Sequence, residues 1–207
     1  GFNFSLSPAL AVNQTTLSAD RASPKAVLAW TPAPGWQVTA SAGEAYRFPT
    51  VGELYQAISV GTDLRVPNPN LAPERAVSTE LSVQRSWRTA SLRLSAFSED
   101  VSDALISQTG IVTPGSATLA TFVQNVDRVR SRGVEAVAEA HDVLVPGFDL
   151  SASATFVDST IARDAALPAA QGKRTPHFPG LRWRAVASWQ ANDRLTLSAA
   201  ARYSDRV

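Results

Sequence analysis

The stretch LRWRAVASWQANDRLTLSAAARY, Leu181 to Tyr203, decides the fold class. Leu181, Trp183, Ala185, Ala187 and Trp189 are apolar, and Arg182, Arg184 and Ser188 between them are polar. After the turn-forming Asn192-Asp193 the pattern restarts, with Leu195, Leu197, Ala199, Ala201 and Tyr203 set against Thr196, Ser198 and Arg202. A period of two belongs to strands with one apolar and one wet face, because successive side chains leave a strand on opposite sides. Two such runs joined by two or three turn residues predict an antiparallel hairpin.

The same alternation recurs upstream. Phe148, Leu150, Ala152, Ala154 and Phe156 alternate with Asp149, Ser151, Ser153 and Thr155. Trp36, Val38, Ala40 and Ala42 alternate with Gln37, Thr39 and Ser41, and Leu81, Val83 and Trp87 with Glu80, Ser82, Gln84 and Ser86. Ala90, Leu92, Leu94 and Ala96 follow, and Phe122 to Ala140 repeats the pattern more roughly. This predicts eight strands, with a ninth at Gly1 to Leu6. Gly133 falls inside one of them, where glycine indicates a bulge or a close backbone approach.

The links between strands alternate in length. Short, turn-like ones join Trp30 to Trp36, Trp87 to Ala90, His141 to Gly147 and Trp189 to Leu195. Long ones, punctuated by Pro and Gly, occupy Ser7 to Ser23, Arg47 to Arg75, Val101 to Ala120 and Ser159 to His177. In an up-and-down sheet all short turns then lie at one end and all long loops at the other. Aromatic residues mark both ends: Trp30, Trp36, Trp87, Phe148 and Trp189 beside short turns, Tyr46, Phe156 and Tyr203 beside long loops. An apolar band between two aromatic belts, with a polar second face, is the pattern of an outer-membrane β-barrel. The fold class expected is therefore all-β, an antiparallel up-and-down transmembrane barrel, closed because lipid offers no partner to an open strand edge.

Composition narrows the function. No run approaches the ~20 apolar residues of a membrane-spanning helix. A net charge of +1 from 19 basic and 18 acidic residues spread along the 207-residue chain speaks against a nucleic-acid partner. The absence of cysteine removes disulfides and thiolate chemistry. The absence of methionine, in a chain opening at Gly1, suggests a portion of a longer protein. His141 is expected in a short turn and His177 in a long loop, at opposite ends of the strands, so they cannot share a metal or catalytic site. No phosphate-binding loop, zinc-protease motif or nucleophile elbow occurs. The chain is read as no enzyme, with no cofactor and no metal site.

Two other architectures fit parts of the pattern. A chain of this length could close alone as a passive or structural eight-stranded barrel. A soluble β-sandwich binding module also alternates, but its tryptophans would sit mid-strand and its links need not alternate.

The long loops carry a family resemblance. GEAYRFPTVGELYQ (Gly43 to Gln56), followed by NPNLAPERAVSTELSVQ (Asn68 to Gln84), resembles the barrel of TonB-dependent outer-membrane receptors of the siderophore and cobalamin type. FVQNVDRVRSRGVEAVAEA (Phe122 to Ala140) is similar to a further segment of that family, and GKRTPHFP (Gly172 to Pro179) to its approach to the next strand. The resemblance implies that residues 1–207 are a partial receptor barrel in the bacterial outer membrane, about 8–9 strands of a 22-stranded barrel, without the plug domain, the final strands or a TonB-contacting segment. It further implies active uptake of a scarce nutrient, a ferric siderophore above all, with cobalamin or other metal chelates as alternatives. The partners implied are the TonB–ExbB–ExbD complex, acting through the missing plug, and the lipid and lipopolysaccharide of the membrane.

Independently of family, Pro49, Pro67, Pro69 and Pro73 cannot donate to a ladder and belong outside paired strands. These motif residues are read as shaping the barrel. Tyr55 and Arg65, in the longest loop, are the candidate ligand contacts, chosen on loop position. Arg47, Arg65, Arg75, Arg182, Arg184 and Arg202 are candidates for an anionic chelate or lipopolysaccharide phosphates, or else simply pair with Glu44, Asp63 and Glu74.

Overall fold

The computed structural model describes residues 2–7, 21–60, 63–111, 119–176 and 178–206. In chain order the elements are β1 (Phe2–Ser7), β2 (Lys25–Trp30), β3 (Trp36–Arg47), the short helix α1 (Val51–Tyr55), β4 (Ile58–Val60), β5 (Asp63–Val66), β6 (Glu74–Ser86), β7 (Ala90–Ile111), β8 (Leu119–Ala140), β9 (Phe148–Arg163), a single 3₁₀ turn (Pro168–Ala170), β10 (Leu181–Asn192) and β11 (Leu195–Ser204). Nine strands form one antiparallel meander in the order β1-β2-β3-β6-β7-β8-β9-β10-β11. The ninth strand anticipated at the start of the chain is β1, paired from Phe2 against Trp30 to Ser7 against Lys25.

β1 and β11 are the two ends of this path and do not pair, so the described strands form an open arc rather than a self-closed eight-stranded barrel. Among the described residues no second sheet covers it, which speaks against the sandwich. The register puts the apolar residues on one face: Leu28, Ala40, Leu81, Ala96, Val134 and Phe156 are in-register neighbours across β2, β3, β6, β7, β8 and β9. That face is uncovered. Leu81, Leu94, Val134 and Phe156 are each more than half exposed. An apolar face of this extent needs lipid against it. Trp183 and Trp189, six residues apart on β10, bracket about 20 Å of strand at a rise of ~3.3 Å per residue. Trp183 stacks on Tyr203 across β10 and β11, centroids 6.2 Å apart, and so joins the long-loop belt.

The inward face is polar, as alternation requires. It is acidic on β6 to β8, through Glu80, Glu99, Glu135 and Glu139, and basic on β10 and β11, through Arg182, Arg184 and Arg202. Gly133 lies on this face opposite Phe97, with no register shift. A Cβ there would run into the Phe97 ring and the Phe156 carbonyl oxygen. The glycine thus marks close approach, the ring filling the space a side chain would take.

The short turns fall where the sequence placed them, at residues 31–35, 87–89, 141–147 and 193–194. Gly35 holds φ +75° in the first, and a Cβ would meet the Ser86 carbonyl oxygen at 2.5 Å. Long connections need correction. Val101 to Ala120 is largely strand: β7 runs to Ile111 and β8 begins at Leu119, so the two continue as a ribbon well past the apolar band. β9 likewise reaches Arg163.

Candidate functional site at the long-loop end

The loop between β3 and β6 is built by local chemistry. Thr50 caps α1: its Oγ1 accepts from the Glu53 N–H at 3.2 Å, and Glu53 Oε2 accepts from the Thr50 N–H at 2.7 Å. This reciprocal box satisfies two of the donors a helix start leaves open. Arg47, at the end of β3, donates to Glu53 Oε1 at 2.7 Å and fixes the helix to the strand. Partial burial would by itself raise the Glu53 carboxyl, but the Thr50 N–H, the Arg47 guanidinium and the Thr50 hydroxyl outweigh it and hold it below its ordinary value.

Two asparagines then bind this loop to the β7–β8 ribbon. The Asn68 N–H donates to the Glu53 carbonyl at 2.8 Å, and its side-chain amide to the Val123 carbonyl at 3.3 Å. Asn125 reads both sides of one residue: its Oδ1 accepts from the Ala72 N–H at 2.8 Å, and its Nδ2 donates to the Ala72 carbonyl at 3.0 Å and the Asp103 carbonyl at 2.7 Å. Glu74 accepts from the Leu105 N–H at 2.8 Å. Beneath, Leu71 is buried, Val126 is fully buried, and Ala104, Val126, Val129 and Ile161 pack as a small core with Val101, Ile106 and Ala170 against them. The motif residues of Asn68 to Glu74 and of Asn125-Val126 therefore meet in space and hold two loops together.

The connection is completed by backbone. β4 and β5 form a small hairpin, and β5 pairs in parallel with β8, Leu64 with Ala120 to Val66 with Phe122, on the edge β9 leaves free. A cleft of about 340 Å³ opens between α1, β5 and the ribbon, lined by Thr50, Glu53, Gln56, Arg65, Ser107 and Thr121 among others.

Of the two candidate contacts, Arg65 is an exposed residue of β5 and lines this cleft. Tyr55 is the last residue of α1, 60% exposed, and is not among the lining residues. The structure thus puts both on one loop and one of them at the cleft. α1 itself was not anticipated, although Thr50-Val51-Gly52-Glu53 is a capping-box sequence.

The other arginines divide. Arg47 pairs with Glu53, not with the acids expected. Arg75 makes a two-pronged bond to Glu44 at 2.9 and 2.8 Å, as expected, while Tyr46 donates to the same carboxylate. This pair shares the outward face of Leu81 and Val83, beyond the apolar band, and does not line the interior. Arg182, Arg184 and Arg202 are on the inward face and cannot meet lipid. Missed altogether are Arg128, Arg130 and Arg132, which follow Val134 outward on β8. Arg128 donates to Asp100 at 2.7 and 2.6 Å, and Arg130 lies 3.4 Å from the same carboxylate.

Among the described residues no group of three or more His, Asp or Glu is placed to hold a metal. His141 is exposed in its turn, 3.4 Å from Asp149. His177 lies outside the described residues.

The comparisons with known proteins agree with this geometry. All of residues 1–207 match the family model described as TonB dependent receptor-like, beta-barrel. The chain belongs to the TonB-dependent receptor β-barrel family. Its place is therefore the bacterial outer membrane, and the family is one of transporters and receptors rather than enzymes. Among solved structures the receptor barrel is similar to the ferric enterobactin receptor PfeA of Pseudomonas aeruginosa, with TM-score 0.64 and 20% identity over 90% of this chain and 28% of that one. It is similar also to the siderophore receptor PirA of Acinetobacter baumannii, with TM-score 0.66 and 15% identity over 89% and 29% of the two chains. A third likeness is the copper transporter OprC, with TM-score 0.66 and 18% identity over 87% and 25%. The receptor barrel thus spans little more than a quarter of these proteins, and at such identity the likeness is one of fold. No curated protein matches it at the sequence level.

Proposed function

We propose that residues 1–207 are part of the barrel of an outer-membrane receptor that takes up a scarce nutrient through TonB, and that the nutrient is a ferric siderophore. In this proposal a plug encoded outside these residues fills the polar interior and links the barrel to TonB–ExbB–ExbD. The observation that carries it is the bound pair of loops at the long-loop end, where α1, β5 and the ribbon hold a cleft beside Arg65. A recess at the long-loop end that sets Arg65 and polar side chains beside Val66, Phe122 and Val123 suits a large anionic chelate with apolar parts. PfeA and PirA, named for siderophores, support that ligand class. OprC, named for copper, supports another metal as the alternative cargo, with cobalamin a further one, and for either of these neither iron chelate would be taken up.

Tyr55 and Arg65 are proposed as ligand contacts, Arg65 as the cation of the cleft and Tyr55 as an exposed ring at its approach. The test is uptake of ⁵⁵Fe-labelled ferric catecholate and hydroxamate chelates by iron-starved cells carrying the full-length receptor as their sole one, with and without TonB. Uptake that requires both receptor and TonB is expected. Equal uptake without TonB would mean a passive pore. Unchanged chelate affinity in a Tyr55→Ala, Arg65→Ala double variant would remove those two residues from the site.

A further inference from the structure

The inward wall carries its charge in two sectors, and one of them lacks any compensating charge among the described residues. On β10 and β11 Arg184 stands directly opposite Arg202, and Arg182 takes the next inward position about 7 Å along β10. Like charges placed directly across two strands repel, and an acid beside them would offset the cost. Their other inward neighbours in register are Ser153 and Thr155 on β9 and Ser204 on β11. All three arginines are exposed, and none has an ion pair among the described residues. Across the sheet, Glu135 lies one strand beyond Thr155 and accepts from its hydroxyl at 3.1 Å. Asp205, past the end of β11, takes the Tyr203 hydroxyl instead.

Toward the short turns the same sector is built from small side chains: Val186, Ser188, Ser198 and Ala200, with Ser151 on β9. Ser188 and Ser198 bond to each other at 3.1 Å and so spend their hydroxyls on the wall. Trp183, between Arg182 and Arg184, belongs to the long-loop belt, which sets the cations at the outer mouth of this smooth strip. The β6–β8 sector differs in size and sign: Glu80, Glu99, Glu135 and Glu139 project inward from it, with the Phe97 ring and Arg93. A low-dielectric wall charged in this way draws an anion to one sector and repels it from the other. We propose that the cargo, bound first at the long-loop end, crosses the barrel along the β9–β11 sector. Arg182, Arg184 and Arg202 steer it there, it passes over the small residues beneath them, and the acidic β6–β8 sector turns it away. The inference rests on the uptake of an anionic chelate proposed above and names its route.

The test uses the full-length receptor as the sole one of iron-starved cells, with a ⁵⁵Fe-labelled tris-catecholate, a trianionic chelate, as the probe. Equilibrium binding is read in cells without TonB, and initial uptake at saturation in cells with it. An Arg184→Gln, Arg202→Gln variant is expected to bind the chelate within about twofold of the unaltered receptor and to take it up about tenfold more slowly. Arg184→Lys, Arg202→Lys, which keeps the charge, is expected to restore most of the rate. Glu80→Gln, Glu99→Gln, on the other sector, is expected to leave it unchanged. Ser198→Phe keeps every arginine but fills the strip, and is expected to slow uptake as well. Unchanged saturated uptake in Ser198→Phe, or in Arg184→Gln, Arg202→Gln, overturns the route. Weakened binding with an unchanged rate also overturns it, because the arginines would then belong to the first binding site. So does TonB-independent entry of vancomycin into cells with Arg184→Gln, Arg202→Gln, because the arginines would then hold the plug. Absence of TonB-dependent uptake by the unaltered receptor overturns the anionic cargo itself, and the route with it, before any variant is made.

Discussion

Leu94 offers the sharpest test of which face meets lipid. It lies on the outward face of β7 between Leu92 and Ala96, with Val83 beside it on β6 and Ala136 on β8, and it is 53% exposed. The first polar outward residue toward the long loops is Ser98, four residues and about 13 Å along the strand, farther than an arginine stem reaches. A Leu94→Arg substitution therefore leaves a charge among hydrocarbon. The cost for Arg near the bilayer midplane of a barrel is about 2–4 kcal/mol, a fall in the folding equilibrium of about 30- to 700-fold. The neighbouring Arg93→Leu changes an exposed residue of the wet inward face and is expected to stay within about 0.5 kcal/mol. Guanidinium unfolding of the full-length receptor in lipid vesicles, followed by tryptophan fluorescence, measures both. If Leu94→Arg is neutral and Arg93→Leu costly, the two faces have been assigned the wrong way round.

Other consequences are open to measurement. Gly133→Val should destabilise by about 1–3 kcal/mol, because the Phe156 backbone cannot yield to a Cβ even where the Phe97 ring can; the same unfolding assay reads it. Asn125→Ala removes three hydrogen bonds that join Ala72 and Asp103, and should speed limited proteolysis within residues 48–73 while leaving the strands intact. Thr50→Ala removes the α1 cap at about 1 kcal/mol of local stability, seen as faster amide exchange at residues 50–56. Since the Glu53 carboxyl is held below its ordinary 4.5, its contribution is complete above that pH and is lost as pH falls through the lowered value. Exchange at residues 50–56, corrected for its intrinsic pH dependence, should then rise on acidification more in the native protein than in Glu53→Gln.

The membrane-facing half of the fold was legible because lipid imposes a rule. Trp183, Ala185, Ala187 and Trp189 must be apolar and Arg182 and Arg184 need not be, so one period of two records strand, face and span together. Above the band the rule lapses. In the β7–β8 ribbon neither face of SDALISQTGI meets lipid, the alternation fades, and a strand that continues to Ile111 resembles a loop. The loop bonds were hidden for a different reason: Asn68 and Asn125 act on residues 55 and 53 positions away in sequence, which local pattern does not reveal. Two signals were present and unread. Thr50 to Glu53 is a capping box, and Arg128, Arg130 and Arg132 alternate as strictly as the alanines that follow. Of the candidate contacts, Arg65 reached the cleft and Tyr55 a helix end, because position in a long loop selects neither a direction nor a neighbour.

The parallel pairing of β5 with β8 bears on how such a receptor diversifies. The contact is a ladder of main-chain groups from Leu64 to Val66 and Ala120 to Phe122, to which any side chain but proline contributes equally. Substitutions along it can therefore change the side chains displayed at this rim while the frame stays in register. Insertions or deletions of single residues there shift every pairing at once. Point variation is thus the inexpensive way to alter the surface of this rim, and grafting one of the two loops without the other is the costly one.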